Sequence, residues 1–320
     1  KGLAVMAIKG PRSEWAVAHV DNIRGNSSLQ QAVALGQELK HQSPNLNMVC
    51  LLASGIDIAA DRAVEGLESV LGSDVRIFGG TSSDNMRAIR TFQFYNDQIL
   101  ERGALALGFA DPTLDIQMGV HHGSVPVGTP FTVTRATGNQ VFELDGKPAW
   151  HVLMDQLGKP RDSHPGPMIP IAGLGVEVPA ELQADNDNPH ILRVIVKTEP
   201  DGSFYIPVDI QAGTKVWLME RDEKLIFDGL ERMMQRLQSK LVGQELVAVF
   251  HTDCAARGRA MFARILKEEI VGRMQQPLCG EKAVPWLGMY GFGEFTQLAG
   301  RNFFHNYTTS IYCLTRRSAG

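Results

Sequence analysis

Apolar runs and amphipathic segments follow the same order in two parts of the chain. In the amino-terminal part, the pattern predicts strands at residues 15–21, 47–53 and 75–84, helices at 29–41 and 58–71, and a hairpin over 91–109. Residues 47–53 (NMVCLLA) form a continuous apolar run, which is typical of a strand buried on both faces. This part therefore predicts a sheet that is covered by helices.

The carboxy-terminal part repeats this order with little identity of sequence. Its pattern predicts strands at residues 215–219, 246–252 and 286–294, helices at 225–241 and 259–274, and a hairpin over 303–315. Between the two parts, residues 114–210 are rich in short strand-like runs, with a helix that starts near Pro148. We therefore predict an α/β fold of two related lobes, each a mainly buried mixed sheet flanked by helices, with a β-rich middle segment that joins them.

Composition narrows the classes of function. The 320 residues are 44% apolar and 21% charged and carry a net charge of −4, which is ordinary for a globular protein and indicates neither a nucleic-acid nor an anionic-membrane partner. No apolar run is long enough to cross a bilayer, so membrane insertion is not expected. The four cysteines form no C-x-x-C pair, and we expect a cytoplasmic location, where thiols stay reduced. Lys1 in place of a start methionine leaves a longer natural amino terminus open.

A glycine-spaced run near the carboxyl end is the most unusual local pattern. Gly288, Gly291 and Gly293 precede a single acid, Glu294, and His305 follows a short polar turn. Because glycine allows positive φ and close approach of the backbone to another group, we interpret this strand end as one wall of a pocket. A bulged core strand that leads into an ordinary hairpin would produce the same spacing.

These residues resemble the closing motif of the FIST C-terminal domain. That motif is carried here by residues 288–294 (GMYGFGE) and 305–308 (HNYT), and residues 254–258 (CAARG) resemble the Cys-x-x-Arg-Gly motif of the same family. Met289 stands where the family more often has Phe, and Phe295 where it usually has Ile. Neither departure changes a polar position.

The resemblance covers nearly the whole chain and implies both an organisation and a function. It implies a FIST N-terminal-like domain over residues 1–160 and a FIST C-terminal-like domain over residues 161–320. The resemblance implies that the chain is a bacterial sensory input module for signal transduction. Such a module would bind a small ligand such as an amino acid without catalysis. The ligand would lie in a cleft between or within the lobes, and the signal would pass to a partner such as a histidine kinase.

Strand ends and the resemblance together select candidate ligand-binding residues. Ligands of α/β proteins favour the ends of strands, where Cys254, Arg257 and Glu294 fall. Arg257 would clamp a ligand carboxylate and Glu294 would hold a ligand amine; alternatively, Glu294 forms a salt bridge with Arg257 or Arg301. The matching turn of the first lobe would form the opposite wall of the cleft. The full set is Gly79, Gly80, Ser82, Cys254, Arg257, Gly291, Gly293, Glu294 and His305.

Two other functions use the same residues. Some bacterial members of the family resemble haem-based nitric oxide sensors that regulate a histidine kinase, and His305 or His251 would then be the axial ligand of the haem. No metal motif such as H-E-x-x-H accompanies these histidines. An enzyme would use Glu294, or a Cys254 thiol of lowered pKa with His251 or His305 as its base. We favour the non-catalytic ligand-binding role over both.

Overall fold

The computed structural model of the protein describes residues 4–84, 87–257 and 269–317. Gly258 of the Cys-x-x-Arg-Gly motif lies outside the described residues, as do residues 259–268 of the predicted helix 259–274. Within the described part of the chain, no helix has both the length and the apolar character needed to cross a membrane.

The amino-terminal part alternates strands and helices as predicted, with boundaries shifted by a few residues. Two short 3-10 turns, Arg12–Glu14 and Gly25–Ser27, precede the first strand and the first helix. The elements are β1 (Trp15–Val20), α1 (Ser28–Gln42), β2 (Met48–Ser54), α2 (Ala60–Leu71), β3 (Arg76–Ser82), β4 (Gln93–Tyr95), β5 (Gln98–Leu100), β6 (Ala104–Phe109) and β7 (Leu114–His121).

The middle segment is rich in strands, and the carboxy-terminal part returns to long elements. The middle elements are β8 (Ser124–Thr137), β9 (Gln140–Leu144), β10 (Lys147–Pro148), α3 (Ala149–Gln156), α4 (Pro165–Met168), β11 (Gly173–Glu177), α5 (Ala180–Asn186), β12 (His190–Arg193), β13 (Lys197–Thr198), β14 (Phe204–Tyr205) and β15 (Lys215–Arg221). The last described elements are α6 (Glu223–Lys240), β16 (Gln244–Cys254), a π-helical turn (Glu269–Gln275), α7 (Gln276–Cys279), β17 (Trp286–Leu298), β18 (Arg301–His305) and β19 (Thr309–Arg317).

Two related half-sheets form a single nine-stranded sheet. Its order is β1-β6-β2-β3-β17-β16-β19-β7, and β18 pairs with β17 at the side. Each half holds one parallel pair, β2 with β3 and β16 with β17, and antiparallel neighbours outside it. The halves meet where β3 and β17 pair antiparallel. The predicted duplication is therefore visible in strand order, and the two-lobed α/β fold is confirmed.

The first strand of the second half is not the predicted one. The sequence suggested residues 215–219, but β15 pairs with β8 and β11 in the other sheet. The position that matches β1 is taken by β7, which packs against α6 as β1 packs against α1. The middle segment is inserted between β7 and α6, so the nearest preceding strand in the sequence is not the structural equivalent.

Both predicted long hairpins pair differently from expectation. In residues 91–109, β4 pairs with β5 in a small separate ribbon, whereas β6 joins β1 and β2 in the main sheet. In residues 303–315, β18 pairs with β17, whereas β19 runs between β16 and β7. The apolar run ALALGF, which forms β6, is typical of a central strand. Its burial in the main sheet therefore stabilises the fold more than pairing with the preceding strand in the sequence would.

The inserted segment forms a second sheet that packs with the first. Its eight strands run in the order β12-β11-β15-β8-β9-β14-β13, with β10 beside β9. Leu35 of α1, Leu67 of α2 and Ile77 of β3 belong to the same buried apolar cluster as Leu153 of α3 and Phe204 of β14. This shared core fixes the second sheet against the first and brings the end of β15 close to the end of β16.

Candidate functional site

The two predicted walls of the cleft are neighbouring strands. Gly291 lies opposite Ser82, and Glu294 lies opposite Gly80, in the antiparallel pairing of β3 with β17. The first-lobe turn and the glycine run are therefore adjacent, as the duplication suggested. They do not face each other across a cleft, however, because the backbone hydrogen bonds of one sheet join them.

Close packing accounts for two glycines of this run, Gly291 and Gly293. A Cβ on Gly293 would lie 2.1 Å from Cζ of Phe304, and one on Gly291 would lie 2.6 Å from the carbonyl oxygen of Thr81. The register between the strands shifts between Gly291 and Gly293, which marks a β-bulge. These contacts match the bulged-strand alternative, and a direct role of the glycines in ligand binding stays a prediction.

A buried polar cluster lies at the end of β16 and beside the interior of β17, which continues past Glu294 to Leu298, so the prediction that Glu294 ends its strand is wrong. Glu294 is fully buried; its Oε2 accepts a hydrogen bond from Oγ1 of Thr308 at 2.7 Å, and its Oε1 has no partner among the described residues. Burial, reinforced by the neighbouring Asp253, raises the pKa of Glu294 well above its ordinary value. The carboxyl group is therefore held in its protonated form more strongly than an exposed glutamate is.

The Cys254 thiol is also buried, and its environment does not activate it. Burial, followed by the nearby Glu294 carboxyl, raises the pKa of Cys254 well above its ordinary value, whereas the nucleophile hypothesis required a lowered pKa. Nε2 of His251 hydrogen-bonds Oγ1 of Thr309 at 2.8 Å, and neither ring nitrogen of His305 has a hydrogen-bond partner among the described residues. Within the described chain, the predicted Cys-His pair is therefore not formed.

Arg257 pairs with two carboxylates that the sequence analysis did not single out. Its fully buried guanidinium donates from Nη2 to Oε1 of Glu269 at 2.7 Å, and Nη1 lies 3.5 Å from Oδ1 of Asp253. The predicted partner Glu294 accepts from Thr308 instead. Burial raises the pKa of Asp253 to about 7. Asp253 four residues before Arg257 was a readable signal, whereas Glu269 is twelve residues away with no local pattern.

The histidines expected as haem ligands are both buried. Burial lowers the pKa of His305 well below its ordinary value, and lowers that of His251 to about 3. Both rings are therefore neutral at physiological pH, the form in which imidazole binds a metal. Among the residues that the structure describes, no group of three or more His, Cys, Asp or Glu side chains is arranged to hold a metal ion.

A cavity of about 460 Å³ lies beside this cluster rather than within it. It is bounded by the end of α3, by the segment after α4 and by the paired strands β8 and β15, and we call it the α3–β15 cavity. None of the described residues that line it is a histidine or a cysteine, so His251, His305 and Cys254 do not border it. The lining residues are Val127, Gln156, Leu157, Pro170, Ile171, Leu218, Met219, Glu220 and Arg221.

Arg221 connects this cavity to the end of β16. One side of its guanidinium donates to the carbonyl oxygen of Pro170 at the cavity, and the other side donates to that of Ala256, with the carbonyl of Arg257 at 3.3 Å. The guanidinium also lies 5.2 Å from the centroid of the Tyr307 ring.

A second cavity residue of β15, two positions before Arg221, packs against the same cluster. Met219 packs in one apolar cluster with Cys254, Ala256 and Tyr307. The motif residues therefore lie directly behind the cavity wall. Arg221 and Met219 were missed in the sequence because no motif marks them.

Comparisons with known proteins identify a family whose two domain models cover most of the chain. The sequence matches the FIST N domain over residues 1–147 and the FIST C domain over residues 149–297. It is 26% identical to an uncharacterized protein of Mycobacterium tuberculosis over 97% of this chain and 77% of that protein. A second uncharacterized protein, from Mycobacterium bovis, is 26% identical over 73% of this chain and 59% of its own length. An uncharacterized protein of Methanocaldococcus jannaschii is 32% identical over 28% of this chain and 18% of its own length.

Proposed function

Because the chain belongs to the FIST family, whose domains are sensory and ligand-binding domains, we propose that it is a small-molecule-sensing input module whose ligand lies in the α3–β15 cavity. The volume of about 460 Å³ falls within the range of pockets that enclose small organic ligands. The partner that receives the signal would be a cytoplasmic signalling protein such as a histidine kinase.

One observation carries this proposal: the cavity wall and the motif residues share Arg221. This guanidinium touches Pro170 at the cavity and Ala256 behind it, so a ligand that attracts it would change the hydrogen bonds of the turn after β16. That turn also contains Arg257, which pairs with Asp253 of β16 and with Glu269 of the π-helical turn. A ligand that favours one arrangement of Arg221 would therefore shift the population of the arrangements of this turn.

A non-catalytic role is supported by the chemistry of the cavity wall. Among the described lining residues there is no serine, cysteine or histidine, so Glu220 has no hydroxyl, thiol or imidazole partner of the kind that a nucleophile-and-base pair needs. The Cys254 thiol behind the wall is held protonated by burial. The haem alternative has less support, because a haem in this cavity would lack a histidine as its axial ligand.

Filling the cavity entrance tests the proposal. Ile171 lines the cavity and is 39% exposed, whereas Val196 is 45% exposed and does not line it. Native mass spectrometry would be performed on wild type, Ile171→Trp and Val196→Trp after incubation with a small-metabolite extract. We expect wild type and Val196→Trp to retain a small molecule that Ile171→Trp loses. Retention by Ile171→Trp, or no retained molecule in wild type, would contradict the proposed site.

A further inference from the structure

We propose that the ligand of the α3–β15 cavity is an organic monocarboxylate with an apolar body, and that Arg221 binds its carboxylate. This inference rests on the proposed function, since it concerns the same cavity. It is argued from three features of the wall: a cation that has only neutral partners, the balance of the remaining polar side chains, and the apolar surface.

Arg221 is a partly buried cation without a carboxylate partner in the described residues 4–84, 87–257 and 269–317. Its hydrogen bonds go to the carbonyl oxygens of Pro170, Ala256 and Arg257, and its remaining contact is the Tyr307 ring. Burial lowers the pKa of Arg221 because its charge is removed from water. Buried charges in proteins are normally paired with an opposite charge, so the cavity has a place for an anion.

The hydrogen bonds of Arg221 leave a donor for such an anion. A guanidinium carries five N–H groups in a planar fork, and the bonds in the structure start from Nη1 and Nη2. A carboxylate can approach the free Nε–H or replace the neutral carbonyl of Pro170 at the cavity side. The Gln156 amide, which also lines the cavity, offers a further donor to a polar group of the ligand.

The other polar side chains of the lining favour one negative charge rather than two. Glu220 is the neighbour of Arg221 and also lines the cavity. The wall carries the Arg221 guanidinium and the Glu220 carboxylate. The Glu220 carboxylate would repel a doubly charged phosphate more strongly than a singly charged carboxylate. The cavity thus resembles a site for a monoanion, unlike phosphate sites, which combine several cations or backbone N–H groups.

An apolar wall completes the ligand class. The remaining lining residues are apolar, and two of them, Leu218 at 4% and Met219 at 2% exposure, are buried. Because these two side chains are already shielded from water, the apolar area that a ligand would cover belongs to other lining residues, of which Ile171 is 39% exposed; covering an aliphatic or aromatic group against that area is favourable. The other apolar members are Val127, Leu157, Pro170 and Ile171.

Matched acids and alcohols test the assignment on the whole protein. Octanoate and 1-octanol, and phenylacetate and 2-phenylethanol, would be titrated calorimetrically into wild type, Arg221→Gln and Arg221→Lys. We expect wild type to bind each acid about tenfold to a hundredfold more tightly than its alcohol, which is the range of a charge-assisted hydrogen bond. Arg221→Gln should lose this preference, and Arg221→Lys should keep part of it because its charge remains.

Each other outcome decides against the inference. Equal binding of acid and alcohol to wild type, an unchanged preference in Arg221→Gln, or no binding of either acid would overturn the carboxylate assignment. Circular dichroism melting of the three proteins shows whether Arg221→Gln is folded. If it is not folded, Arg221→Lys decides alone: its preference for acid over alcohol should be weaker than that of wild type but still present. The proposed function is tested separately, by whether Ile171→Trp loses the retained molecule. If the alcohols bind wild type as tightly as the acids do but do not bind Ile171→Trp, the cavity remains a ligand site and only the carboxylate assignment is rejected.

Discussion

At the residue scale, the conspicuous glycines serve packing, whereas an inconspicuous arginine reaches the cavity. Gly293 leaves space for the Phe304 ring, and Gly291 lets β3 approach β17. Arg221 ends an ordinary amphipathic strand and gains its importance only from the fold. A sequence pattern can show that a position is constrained, but the neighbour that imposes the constraint is known only from the structure.

A substitution at Gly293 tests the packing role. In Gly293→Ala, the new methyl would lie 2.1 Å from Phe304, so ring and strand must shift. We expect a loss of about 1–3 kcal/mol in the free energy of unfolding, as for other overpacked cores. Urea unfolding measures this change. Gly272→Ala is the matched control, because a Cβ there meets no atom within 4 Å; if both variants unfold at the same urea concentration, the packing role is wrong.

Glu294 should give a characteristic dependence of stability on pH. Its folded-state pKa is raised above the ordinary value of 4.5, so the folded state binds the proton more tightly than the unfolded state. Stability from this group is complete below about pH 4.5 and falls as the pH rises toward the folded pKa, by at most about 1.4 kcal/mol per pH unit for one proton. Glu294→Gln cannot titrate, and its free energy of unfolding should fall less steeply from pH 5 to 8.

The control and the contradictory result for Glu294 are direct. The pKa of Asp253 is also raised, so Asp253 contributes a fall in stability with rising pH in both proteins. The free energy of unfolding of Glu294→Gln should therefore depend less steeply on pH than that of wild type, but it should not be independent of pH. Gln98→Ala, an exposed substitution that changes no titrating group, should give a curve parallel to that of wild type. Parallel curves for wild type and Glu294→Gln in urea unfolding would show that the Glu294 carboxyl does not take up a proton on folding.

At the element scale, the end of β16 is held by an ion cluster that joins it to the π-helical turn. Arg257 follows β16, and its partner Glu269 begins the turn at residues 269–275. The three side chains are buried, so each charge is stabilised by its partner of opposite sign and not by water. This arrangement explains the arginine of the Cys-x-x-Arg-Gly motif as an anchor between elements.

Removing this anchor should destabilise the protein strongly. Arg257→Met leaves Asp253 and Glu269 buried without their cation, and we expect a loss of about 3–5 kcal/mol in the free energy of unfolding. Glu231→Ala breaks the exposed ion pair with Arg273 in the same region and should cost no more than about 1 kcal/mol. Chemical unfolding of both variants gives the comparison, and equal small losses would mean that the buried pair is not structural.

At the scale of the whole molecule, the sequence predicted the elements better than their partners. The strand and helix order, the α/β class and the two related halves followed from hydrophobic periodicity. The β-rich middle segment was also predicted, but not its position between β7 and α6 inside the second half. The exchange of β15 for β7 and the pairing of β4 with β5 were not predicted either, because pairing depends on burial between residues far apart in sequence. For the same reason the strand-end cluster was found, but the cavity beside it was not.

The junction of the halves should make the molecule unfold as one unit. The Tyr312 hydroxyl lies 2.8 Å from the carbonyl oxygens of Gly79 in β3 and Phe295 in β17, directly across this junction. Tyr312→Phe leaves buried carbonyl groups with fewer donors and should cost about 1–3 kcal/mol. Tyr95→Phe, which keeps the ring stacked on His19, is the control.

Two probes measure whether this loss is shared by the whole sheet. Tryptophan fluorescence and far-ultraviolet circular dichroism should give coincident urea transitions, and Tyr312→Phe should shift both equally. Separate transitions, or a shift in one probe alone, would show that the halves unfold independently.

The ligand site can be located by a crystal structure of the protein together with the small molecule that it retains in native mass spectrometry. We predict electron density for that molecule in the α3–β15 cavity, between Ile171 and Leu218, with a polar group against Arg221. Density for the molecule at any other place, with this cavity holding only solvent, would show that the α3–β15 cavity is not the ligand site.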